Sequence, residues 1–142
     1  MIPPFRPDGY LPEGVHLAGE SEAVFCFGSS TPRRRRLAVR LRRWVALARE
    51  VHAPRFLLDG SFVTAKPEPG DIDAVILLPA DFAARVAAED EPAIELESML
   101  LTRRPEELFA AEDETDWDEW ATFFARTREA DRRRKGLVEI RL

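Results

Sequence analysis

Asp71 and Asp73 are the side chains in this sequence best placed to do chemistry. They lie in residues 56–79, FLLDGSFVTAKPEPGDIDAVILLP. The apolar run Phe56-Leu57-Leu58 ends in Asp59-Gly60-Ser61, and a loop rich in Pro and Gly occupies residues 64–70. Asp71-Ile72-Asp73 then leads directly into the apolar residues 74–78. Apolar runs bounded by turn residues predict strand, loop, strand. The link is too short for a crossover helix, which predicts antiparallel pairing. Residues two apart on a strand share a face. Asp71 and Asp73 are therefore expected to project together, with Ile72 turned into a core. Adjacent carboxylates repel, so such a pair needs a cation. Magnesium suits it, a hard ion that takes carboxylate and phosphate oxygens. Gly60 and Ser61 offer a bare backbone and a hydroxyl where a phosphate could sit. Lys66, within the loop, could bring a point charge to that phosphate. The plainer alternatives are a Pro69-Gly70-Asp71 turn and a solvated loop lysine.

Gly60-Ser61, nine intervening residues and Asp71-x-Asp73 between apolar residues together resemble the signature of the nucleotidyltransferase superfamily, the DNA polymerase beta-like fold. They are most like its short, minimal members in bacteria and archaea. Ile2-Pro3-Pro4-Phe5, Asp8-Gly9-Tyr10-Leu11-Pro12 and Lys135-Gly136-Leu137-Val138-Glu139 are similar to an uncharacterised bacterial branch of that group. The resemblance implies that Gly60 and Ser61 hold a nucleoside triphosphate such as ATP. It implies that Asp71 and Asp73 bind two magnesium ions, or manganese in their place, and that a third carboxylate follows on a later strand. Glu107, in Glu107-Leu108-Phe109, stands where the superfamily usually has Asp, with Glu106 as the adjacent competitor. The implied reaction moves a nucleoside monophosphate to a hydroxyl of a protein, an RNA or a small molecule. Minimal members often act in toxin–antitoxin or defence pairs. The changed third carboxylate also fits an inactive fold that binds a nucleotide or a partner.

These residues need a scaffold, and 142 residues suffice for one domain with a real core. The pattern predicts helices over residues 20–27, 32–51 and 81–88, one from Pro92 to Pro105, and one capped by Asp116. Trp117, Trp120, Phe123 and Phe124 are expected to form the apolar face of that last helix. Strands are expected at residues 56–58, 71–78, 106–111 and 137–142. The result is an α+β domain with a mixed sheet of about four strands flanked by helices. Residues 1–14 read as an extended Pro-rich arm anchored by Phe5, Tyr10 and Leu11. Residues 126–135 read as a charged connector.

The net charge of −5 argues against a dedicated nucleic-acid binder. The run Arg33-Arg34-Arg35-Arg36, with Arg40 and Arg43, nevertheless sustains a second possibility, a small RNA-binding module. Otherwise that face is solvated and paired with the acidic residues 112–119. The single cysteine, Cys26, rules out an internal disulfide and suggests a reducing, cytoplasmic setting; its apolar neighbours suggest an inert thiol. No run is long enough to cross a membrane. His16 and His52 have no zinc-site partners, and Ser61 lacks a nucleophile elbow.

Overall fold

A computed structural model describes residues 1–102 and 107–142. Among these residues the chain forms five strands and five α-helices. The strands are β1 (Gly14–Ala18), β2 (Arg55–Asp59), β3 (Asp73–Leu77), β4 (Leu108–Ala111) and β5 (Gly136–Ile140). The helices are α1 (Glu20–Phe27), α2 (Pro32–Glu50), α3 (Phe82–Ala87), α4 (Glu91–Thr102) and α5 (Glu114–Phe124). The sheet order is β1-β5-β2-β3-β4, with β1 parallel to β5, β3 parallel to β4, and β2 antiparallel to both of its neighbours. The domain is α+β, and the β2–β3 pairing is the antiparallel one expected from the short link.

Alternation along the strands divides the side chains into two layers. Phe56, Leu58, Ala74, Ile76, Leu108, Val138 and Ile140 meet Leu37, Leu41, Trp44 and Val45 of α2 and Ala93 and Leu96 of α4 in the larger core. Leu57, Val75, Leu77 and Leu137 face the other way and are covered by Trp117 and Phe124 of α5. Trp120 stacks on Phe124 at 5.6 Å, and the Arg55 guanidinium lies 4.5 Å over the Trp117 ring while pairing with Glu114 and Glu139.

Helix ends follow local chemistry. Thr31 caps α2, its hydroxyl accepting from the Arg34 amide, and Pro32 takes the first turn. Asp113, rather than Asp116, caps α5. Asp113 accepts from the Asp116 amide, and the Asp116 carboxylate accepts in return from the Glu112 amide. The box therefore sits three residues earlier than the spacing suggested. Phe123 does not join the apolar face of α5, being 59% exposed.

The fifth strand, β1, comes from residues left unassigned by pattern. It is an edge strand whose Val15 and Leu17 stay exposed, so it lacks a buried alternation. The arm before it is tied down as expected: Leu11 is buried, Phe5 packs on Phe27, and the Tyr10 hydroxyl donates to Glu129. Asp71 and Ile72 precede β3 instead of belonging to it, and Glu107 precedes β4. The expected helix stop at Pro105 and the competing carboxylate Glu106 lie outside the described residues. No helix among the described residues is long and apolar enough to cross a membrane.

Candidate metal centre

Three segments converge at one end of the central strands. β2 ends in Asp59, and β3 begins with Asp73 directly across from it in the ladder. Because β4 pairs with Leu108 opposite Ala74, Glu107 falls beside Asp73, and its carbonyl accepts from the Ala74 amide at 3.4 Å. Asp71 arrives from the loop. One carboxylate oxygen from each of Asp71, Asp73 and Glu107 lies within 4.8 Å of the others. Asp71 and Asp73 meet as expected, though not by sharing a strand face, since only Asp73 is on the strand. Glu107 joins them while exposed and at φ +46°, a backbone region uncommon for glutamate.

The corner before the loop holds this arrangement. Gly60 has φ +90° and ψ 178°, which an L side chain rarely adopts. A Cβ there would stand 2.9 Å from the Asp73 amide nitrogen and 3.0 Å from the Ile72 Cα. The Ser61 amide and hydroxyl both donate to Asp71 Oδ1, at 2.7 and 2.6 Å, and the Ser61 oxygen also accepts from the Asp71 amide. In this state the Ser61 hydroxyl serves Asp71.

The loop itself is fastened by α2. Arg34 is 5% exposed and donates to four carbonyls, those of Phe27, Phe62, Thr64 and Lys66, at 2.5–2.9 Å. Arg33 donates to the carbonyls of Pro69 and Gly70. Half of the Arg33–Arg36 run is therefore internal to the site's support and is not a solvated basic face. The ion pairs of α2 also differ from those expected. Arg42 and Arg49 pair with Glu20, and Arg43 with Glu95, none with the acidic residues 112–119.

The electrostatics mark an unfinished site. Asp73 is 8% exposed, and its Oδ1 is buried with no hydrogen-bond partner. Burial, then the adjacent Glu107 and the charges of Asp71 and Asp59, push its carboxyl up to about 9. A buried oxygen without a donor, among three carboxylates, is what a divalent cation would complete. The residues present thus fit such an ion, with Asp71, Asp73 and Glu107 as its holders.

Two members of the site escaped the sequence reading. Asp59, 3% exposed, is raised to about 6 by burial despite its partner Lys135. Lys135 Nζ reaches its two oxygens at 2.8 and 3.1 Å. The signals were there, an aspartate closing an apolar strand and a lysine just before the last one, but nothing in the sequence joined them. The cleft they line measures about 940 Å³ and runs between the Gly60-Ser61 corner, the arm at Asp8-Gly9-Tyr10 and the connector at Arg126 and Arg128. Lys66 also lines it, exposed on the loop. Cys26 is exposed on α1, where partial burial and then the nearby Glu22 push its thiol up, and it is not among the residues that line this cleft.

The family model described as "Family of unknown function (DUF6932)" matches residues 3–141, and the chain belongs to that family. Neither the curated proteins nor the solved structures give a match.

Proposed function

We propose that this member of a family of unknown function is a metal-dependent nucleotidyltransferase. It would move a nucleoside monophosphate from a nucleoside triphosphate to a hydroxyl of a protein, an RNA or a small molecule, within a toxin–antitoxin or defence pair. One observation carries this proposal: three carboxylates, two from residues 71–73 and one from the residue before β4, bring an oxygen each within 4.8 Å of the others, and one of them keeps a buried, unpartnered oxygen. A divalent ion bound there would polarise phosphoryl and hydroxyl oxygens as a Lewis acid.

The chain's own residues have separate tasks. Ser61 fixes the orientation of Asp71 through two donors. The bare Gly60 lets the corner approach Asp73 closely enough for the phosphates to pass over its backbone. Glu107, the exposed carboxylate, accepts the proton of the acceptor hydroxyl.

The test is incubation with each α-phosphate-labelled nucleoside triphosphate, magnesium and cell lysate. Label transferred to a macromolecule or small acceptor, with pyrophosphate released, is the expected result. Tight nucleotide binding without pyrophosphate release would instead support a binding module. The exposed, positive-φ placement of Glu107 favours that second reading.

A further inference from the structure

We infer that Lys135 is a phosphate-binding residue of the cleft, with Asp59 as the partner that holds its ammonium in place. The inference rests on the nucleotidyltransferase proposal and adds to it a residue that the loop signature does not contain. Lys135 immediately precedes β5, which pairs with β2 through Leu58–Val138, Leu57–Glu139 and Phe56–Ile140. That pairing carries the lysine toward the end of β2, where Asp59 sits next to Gly60 and across from Asp73. The two side chains are 12% and 4% exposed, and both line the cleft with Gly60, Ser61, Asp71 and Asp73.

The number of donors is what points to a ligand. An ammonium has three N–H groups. Asp59 takes two, one on each oxygen, and no third acceptor among the described residues is within hydrogen-bond distance. A donor left unmet at a mostly buried ammonium is costly unless water or a ligand meets it. The other cations of the cleft, Lys66, Arg126 and Arg128, are exposed. Fixing such long side chains on a ligand costs rotamer entropy, whereas Asp59 has already fixed Lys135. An ion pair kept only for stability gains little over apolar packing. A pair that keeps a free donor on the floor of a cleft, beside three carboxylates suited to a cation, matches the phosphoryl oxygens of a polyphosphate chain.

Calorimetric titration separates this role from a merely structural one. Wild type, Lys135→Met and the double variant Asp59→Asn/Lys135→Met would each be titrated with Mn²⁺ alone, then with inorganic tripolyphosphate in the presence of Mn²⁺. Thermal melting would be followed in parallel. Lys135→Met leaves Asp59 buried and unpaired, so its melting temperature falls; the double variant removes that charge and recovers it. Tripolyphosphate affinity should fall about 10- to 100-fold in both variants, the loss of one charge-assisted hydrogen bond. Mn²⁺ binding should survive in the double variant. A double variant that binds tripolyphosphate as tightly as wild type would make Lys135 only a counter-ion and overturn the inference. So would a wild type that takes up Mn²⁺ but no tripolyphosphate. A wild type that takes up no Mn²⁺ would overturn the metal centre beneath it, and the inference with it.

Discussion

Asp71 and Asp73, two residues apart, do different work. Asp71 accepts both Ser61 donors and so closes the turn, while Asp73 is buried against other carboxylates with an oxygen to spare. Their amide variants should therefore move stability in opposite directions. Asp73→Asn removes a buried carboxyl that must take up a proton as the chain folds, and should raise the melting temperature of the metal-free protein at mildly alkaline pH. Asp71→Asn weakens a charge-assisted cap and should lower stability by about 1 kcal/mol. Thermal melts with a chelator present check both. Marked destabilisation by Asp73→Asn would mean that its carboxylate serves the fold rather than a cation. The pH dependence has a definite sign. Asp59 and Asp73 both hold their protons more tightly folded than unfolded, at about 6 and about 9. Their contribution is fully present below the unfolded value of about 4. It is lost as pH rises through those folded values. Without metal, stability should fall across that window; Asp73→Asn should flatten the upper part of the fall.

At the scale of elements, α2 and the loop it fastens stand or fall together. Arg34→Gln would leave several of four carbonyls without their donor and should cost about 3 kcal/mol or more. Limited trypsin digestion should then cut faster after Lys66. Unchanged cleavage and an unchanged melting curve would show that the loop holds without α2. Arg35 and Arg36, the next two residues of α2, are exposed and should be replaceable by Gln at little cost. They are also the right pair for the RNA question, because replacing Arg33 or Arg34 would damage the site's support. RNA binding at low salt with a steep salt dependence, lost in the Arg35→Gln/Arg36→Gln variant, would revive the RNA-binding possibility. We expect none. Glu107 belongs to this scale too, since β4 sets its place. Glu107→Gln should abolish transfer while nucleotide binding survives. Glu107→Asp suits the positive φ better and should keep activity.

Across the whole molecule, what was legible in the sequence was what depends on local pattern. The β2–β3 pair, α1, α2 and the meeting of Asp71 with Asp73 follow from spacing, turn residues and apolar runs, whereas Glu107 was named only through the resemblance. Three kinds of feature were not legible. β1 lies at the sheet edge, where Val15 and Leu17 need not be buried, so its alternation has no polar face to contrast with. The inward turn of Arg34 depends on the loop carbonyls folding back over α2, a contact some thirty residues distant in sequence. The Asp59–Lys135 pair joins residues 76 apart. Pattern gives the faces of elements; it does not give which charged residue a distant backbone will capture. The nucleotidyltransferase likeness rests on the loop signature; the three-carboxylate geometry fits a cation.

Titration of wild type and Asp73→Asn with Mn²⁺ is the most direct measurement of the central claim. Wild type should bind saturably, with binding strengthened by a nucleoside triphosphate, and Asp73→Asn should lose both effects while melting at least as high without metal. No binding by wild type, or equal binding by the variant, would contradict a metal centre built on Asp71, Asp73 and Glu107.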